Sequence, residues 1–326
     1  MYTNVIVLIL IFIKTDMKNP FLALVLLSGL SGCSINTVSV SQNSSLYNYG
    51  LYNAKGQRVN SILSESTLLN ADVVLVGEWH THPGVHLFQA ELFQQLSTQS
   101  KALALSLEQF SRADQQTLNL YVEGKIGEQY LIDNTNAWPN YQSDYRALVE
   151  LAIVNNAAVI AANAPKYVVT CVARQGINYL DKLDAQQRSF IAKEIDISPS
   201  PYKERFMQSM HHGTPSQNEN FYAAQVIWDE TMAESIVDYI KENKGSQVMH
   251  IAGDFHVKEG QGIARVIKRL APELNVVWIS PVIKVKPQHS GYQLQVNPLP
   301  IRYVQKAHQQ AAFKKLSKRG EQTQCR

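Results

Sequence analysis

The sequence predicts an α/β fold, with a mostly parallel sheet flanked by helices, on three observations. Five apolar runs, at residues 73–76, 102–107, 157–161, 247–251 and 275–279, are continuous rather than alternating, as in strands covered on both faces. Between them the apolar spacing is helical. Composition agrees: 45% of the 326 residues are apolar and 17% charged, so a sizeable core can form. The net charge of +3 is too small at this length to argue for a nucleic-acid partner.

Taken in order, the chain opens with two apolar runs. In "MKNPFLALVLLSGLSGC", Lys18 precedes an apolar stretch at 21–27 and small residues lead to Cys33. This resembles a bacterial lipoprotein signal (residues 1–33), with Cys33 the acylated residue. Met17 is the more natural start than Met1, because the run at 5–13 has no role in such a signal. Each run is shorter than the roughly 20 residues a bilayer span needs. The resemblance implies a lipid-anchored protein on the periplasmic side of the outer membrane of a Gram-negative bacterium, Ser34 favouring the outer membrane. Residues 34–57, rich in Ser and Asn, read as a flexible tether.

The domain proper is expected at 58–300. Val85, Phe88, Leu92 and Leu96 recur at helical steps behind Pro83, giving a helix over 84–97. Further helices are expected at 145–155, at 221–243 before Gly245, and at 262–270 before Pro272. Residues 177–245 hold no convincing strand and read equally as a helical insertion or lid and as a long crossover. Residues 301–326 form a basic tail, with Lys314, Lys315, Lys318 and Arg319. Cys171 and Cys325 fit no zinc or haem-attachment spacing; pairing and free thiols both stay open.

Two stretches repeat one pattern. "VLVGEWH" at 74–80 and "MHIAGDFH" at 249–256 each run strand, Gly, acid, aromatic, His. Loops after the carboxyl ends of parallel strands share one crevice, so Glu78, His80, Asp254 and His256 are expected to face each other. The glycine permits a sharp turn and close backbone approach. An acid two residues before an imidazole points the same way if the link is extended, and can then fix the ring's tautomer. Such a pair suits a metal ligand, a general base or a haem-propionate anchor, and the spacing does not choose among them. His82 and His86 rank below these.

"GEWHTHPGVHLFQ", "SLEQFSRADQQTL" (106–118), "WPNYQSDYRALVELA" (138–152) and "FYAAQVIWDETMAESI" (221–236) resemble the ChaN family of haem-binding lipoproteins. That family sits in a superfamily with Tiki, TraB and erythromycin-esterase-like proteins, and the resemblance spans about residues 58–282. Thr81 departs from the acid or similar polar group expected after the His, which speaks against a metal role there. The resemblance implies a haem-binding protein of iron uptake without catalytic turnover, a homodimer holding two haems face to face. It implies tyrosine ligation of iron, with Tyr202 and Tyr222 favoured over Tyr141 and Tyr145, and assisting contacts from His211, His212, His80, His256 and Glu78. Arg174, Lys203 and Arg205 are candidate propionate partners. Membrane lipid through Cys33 and an outer-membrane haem receptor complete the expected partners. The alternative is a metal-dependent hydrolase built on Glu78, His80, His256 and Glu108.

Overall fold

The computed structural model describes residues 45–99, 101–210, 213–321 and 324–325; Cys33, His211 and His212 lie outside the described residues. Seven strands, β1 (Tyr49–Tyr52), β2 (Val73–Glu78), β3 (Leu103–Ser111), β4 (Ala158–Asn163), β5 (Gln247–Gly253), β6 (Val276–Val282) and β7 (Tyr292–Val296), form one sheet in the order β1-β7-β6-β2-β5-β3-β4. Only the β1–β7 pair is antiparallel. The helices are α1 (Ser66–Asn70), α2 (Pro83–Ser97), α3 (Gln115–Val122), α4 (Glu128–Asn134), α5 (Arg146–Val154), α6 (Lys166–Gln175), α7 (Ala185–Ser189), α8 (Pro201–Ser209), α9 (Pro215–Glu242), α10 (Asp254–Val257), α11 (Ile263–Leu270) and α12 (Lys306–Glu321).

The continuous apolar runs are explained by a layer of helices on each face. Val74 and Val76 of β2, Leu105 and Leu107 of β3, and Met249 and Ile251 of β5 pack with Phe88, Leu92 and Leu96 of α2 and Leu148 of α5. Their alternates, Val73, Leu75, Ala104, Val248 and Ala252, meet Met232, Ile236 and Val237 of α9 and Ile263 and Ile267 of α11. Each such aliphatic side chain removed from water contributes about 1.5–3 kcal/mol, which is why neither face of these strands is left to solvent.

The connection after β2 leads through α2 toward β3 and β4, while the one after β5 leads through α11 to β6 on the other side. The crossovers therefore lead away in opposite directions from the adjacent, parallel strands β2 and β5. Such a divergence opens a crevice at the carboxyl edge, the usual ligand position in open α/β sheets.

Two expectations need correction, and two further features are new or were left open by the sequence. The tether does not extend to residue 57, because Tyr49–Tyr52 adds to the sheet edge against β7. Its register and the Tyr52–Arg58 bridge supply backbone partners that a Ser/Asn-rich reading overlooked. Strand β7 was not foreseen either. The helical stretch from 177 is not all insertion: α9, begun by Pro215 behind a Thr214–Gln217 capping box, is a core layer on the sheet, leaving only the shorter elements before it as the added part. Last, the tail is helical over α12, and Cys325 returns to form a disulfide with Cys171 of α6, with 5.4 Å between their Cα atoms.

Candidate functional site

At the ends of β2 and β5 the two motifs interlock through their glycines. A Cβ on Gly77 would lie 2.6 Å from Asp254 Oδ1, and one on Gly253 would lie 3.1 Å from His80 Nε2. Each glycine thus makes room for a chemical side chain of the other motif. The register pairs Glu78 with Gly253, so the repeats are offset by one residue.

Their local structures differ, and this corrects the expectation that all four side chains face each other. In the first motif the link is open enough for His80 Nδ1 to reach Glu78 Oε1 at 2.7 Å. In the second, Asp254 starts the helical turn α10, which sends acid and imidazole in different directions. Asp254 turns toward Gly77 and Ser280, and burial pushes its carboxyl upward. His256 takes its carboxylate from α9 instead, with Nδ1 2.8 Å from Asp229 Oδ1.

Glu78 is a buried hub. Its Oε1 also accepts from the Tyr145 hydroxyl (2.7 Å) and Gln109 Nε2 (3.2 Å), and its Oε2 accepts from Gln89 Nε2 (3.0 Å). Burial raises this carboxyl, but the bond from His80 and the nearby imidazoles outweigh it and hold it below the ordinary value. His80, whose side chain is 44% exposed, moves oppositely. Burial lowers it, while Glu78 and then Glu108 raise it above the usual imidazole range. Its ring packs edge-on against Trp138, centroids 4.9 Å apart. The next residue, Thr81, sits at φ +68°, a left-handed conformation strained for a β-branched side chain.

On the other face of the sheet, Glu108 Oε2 accepts from the Gly253 amide at 2.6 Å, and its Oε1 lies 3.7 Å from His256 Nε2. Burial lowers His256, but Asp229 and Glu108 together raise it. Asp229 Oδ2 also accepts from the Tyr202 hydroxyl at 2.5 Å, and Gln225 Nε2 lies 3.0 Å from both the Tyr202 hydroxyl oxygen and His256 Nδ1. The two acid–imidazole pairs therefore stand on opposite faces of the sheet, with the His80 ring reaching over Gly253 toward Glu108.

The other expected site residues fall as follows. Tyr202 and Tyr222 are fully buried, 6.1 Å apart, in a small cluster with Phe206 and Val226. Burial, then Asp229, keeps the Tyr202 phenol strongly protonated, so neither phenol is open to iron as the chain stands. Both are covered because α8 packs down on α9. Arg174 lies beside the disulfide, its Nη1 3.8 Å from Cys325 Sγ. Arg205 donates to the carbonyls of Phe255 (3.0 Å) and Lys258 (2.9 Å), and Lys203 lies 2.7 Å from Glu219. His82 is fully buried, with Nε2 2.8 Å from the Asn297 carbonyl oxygen. His86 Nδ1 lies 2.9 Å from Gln89 Oε1. Sequence reasoning missed Asp229, Gln225, Gln89, Gln109 and the place of Tyr145 on Glu78. Polar residues at core-facing positions of "FYAAQVIWDETMAESI" were the available signal.

The model of the family described as haem-binding uptake, Tiki superfamily, ChaN, matches residues 66–267, more than half of the chain. The chain belongs to the ChaN family. Haem is accordingly its cofactor. A solved structure described as cofacial heme binding to ChaN of Campylobacter jejuni shares the fold, with a TM-score of 0.61 at 16% identity over 77% of this chain and 97% of that one. A mutant erythromycin esterase, EreC, in its open conformation matches with a TM-score of 0.44 at 12% identity, over 82% of this chain and 87% of that one. Protein RETICULATA-RELATED 5, chloroplastic, of Arabidopsis thaliana is 25% identical over 235 residues, 66% of this chain and 32% of that protein. The chain thus spans about a third of that relative's length.

Haem is a flat apolar disc carrying two carboxylates, and the ChaN edge offers matching chemistry. His80 is a half-exposed imidazole charged more readily than usual. Trp138 stands beside it, while half-buried Phe255, Met207 and Met210 surround the Tyr202 cluster near His256. These residues fit the group. Among the described residues no three His, Cys, Asp or Glu side chains converge as a metal site.

Proposed function

We propose that this chain is a haem-binding lipoprotein of haem and iron uptake, anchored at the outer membrane by acylated Cys33, facing the periplasm and turning over no substrate. The single observation that most supports this is the His80 imidazole, open to solvent on one side and backed on the other by the buried Glu78 carboxylate. Haem supplies the iron that is carried. The chain's own residues bind and orient it: Glu78 fixes the ring through Nδ1, and the protonated imidazole is a positive partner for a propionate. Trp138 and Phe255 present aromatic surface and exclude water.

Ligation through Tyr202 or Tyr222 belongs to the same proposal and requires α8 to lift, with Tyr202 giving up its bond to Asp229. A homodimer enclosing the macrocycle and an outer-membrane haem receptor complete the picture. The test is a hemin titration of the full chain in detergent. A saturable Soret shift with haem-dependent dimerisation is expected, weakened in His80→Ala. Tyr202→Phe and Tyr222→Phe, read separately, report on phenol ligation. No Soret change, together with Mn²⁺- or Co²⁺-dependent ester hydrolysis, would replace this reading with the hydrolase built on Glu78, His80, Glu108 and His256.

A further inference from the structure

Directly before α5, residues Tyr141–Tyr145 form one π-helical turn. Such wide turns are uncommon and gather at functional sites. This one projects two phenols into the interior with different outcomes. Tyr145 donates to Glu78 Oε1 at 2.7 Å, the same oxygen that receives His80 Nδ1. The Tyr141 hydroxyl is buried without a hydrogen-bond partner, its ring packed on Phe110.

The Tyr145 ring also closes a continuous aromatic wall. It stands 5.3 Å from His86 and 6.0 Å from Trp138, and Trp138 stands 4.9 Å from His80. The turn thus reaches His80 by two routes, through the carboxylate and through the indole. Glu78 has two further donors, Gln89 on Oε2 and Gln109 on Oε1, so its plane is set by side chains from α2, β3 and the turn together. A carboxylate gripped this way cannot swing from the imidazole it orients.

We propose that Tyr145 is a positioning residue that acts through Glu78 to hold the His80 ring in one orientation, Nδ1–H toward the carboxylate and Nε2 outward, an orientation that shows as a single Nδ1–H tautomer once the ring is neutral. The inference rests on the reading of His80 as a haem contact, and it assigns the π-helical turn the task of delivering this phenol. Tyr145 itself is fully buried.

The test uses the full chain in detergent with ¹⁵N-labelled histidine, the His80 signals being assigned by their loss in His80→Gln. At alkaline pH the unaltered protein should show His80 as a single Nδ1–H tautomer. Tyr145→Phe should give a mixture, with hemin affinity reduced about tenfold, the lower end of what loss of an outer partner produces. Tyr141→Phe removes a phenol from the same turn and should change neither readout. An unaltered tautomer in Tyr145→Phe overturns the proposal, as does an equal effect of Tyr141→Phe. If the unaltered chain does not bind hemin, the haem reading falls, and the tautomer still decides the role of Tyr145.

Discussion

Gly77 and Gly253 occupy equivalent places in the two motifs, but added methyl groups would meet different neighbours. At Gly77 a Cβ meets Asp254 Oδ1 at 2.6 Å, Asp254 Cα at 3.2 Å and the Ile279 carbonyl oxygen at 3.3 Å, two of them backbone atoms that cannot give way. At Gly253 it meets the end of the half-exposed His80 ring, which can. Gly77→Ala is therefore expected to cost about 1–3 kcal/mol, as overpacking does, read as a lower urea midpoint. Gly253→Ala should leave that midpoint nearly unchanged while weakening hemin binding. His250 gives a second test. Fully buried on β5, it has Nδ1 2.8 Å from Ser106 Oγ and Nε2 without a partner. Burial, then the His256 charge, pushes it down to about 3. A histidine near 6.5 when unfolded and about 3 when folded binds more protons in the unfolded state between those limits, so stability falls as pH drops through that window. Urea midpoints at pH 7 and 5 should differ by an amount equivalent to roughly 1–2 kcal/mol from this group, a difference that disappears in His250→Asn.

Among the elements, the exposed edge of β4 shows how the sheet is closed. Gln115 of α3 pairs with it as a strand would, donating to the Val159 carbonyl oxygen (2.9 Å) and accepting from the Ala161 amide (2.7 Å). Gln115→Ala leaves both groups unpaired and should lower stability by about 1–2 kcal/mol and promote association through the bared edge. A urea midpoint and light scattering check both. Much of this architecture was legible: β2 through β6 and the helices at α2, α5, α9 and α11 follow from apolar runs and spacing that packing did not override. β1 and β7 were not legible, because both are short and carry Tyr, Gly and Gln among few apolar residues, and the edge strand β1 depends on pairing with β7. The site was half legible. Glu78 and His80 are local in sequence, whereas the Asp229–His256 pair joins α9 to α10 and leaves no spacing to read.

Across the whole molecule, the disulfide joins residues 154 positions apart and brings the tail back to α6, so the C-terminal end is tied to the helices that precede β5. The central sheet meanwhile sets two acid–imidazole pairs on its opposite faces, meeting over Gly253 at the point where the crossovers diverge. In the proposed function the charged, half-open His80 meets haem there. The measurement that tests it most directly is hemin affinity as a function of pH, for the unaltered chain and for His80→Ala. Because His80 stays protonated above the ordinary imidazole value near 6.5, the unaltered chain should bind well at pH 6–7 and lose affinity as pH rises through the raised value. His80→Ala should bind more weakly and lack that step. The same affinity and the same pH curve in both proteins would contradict the account.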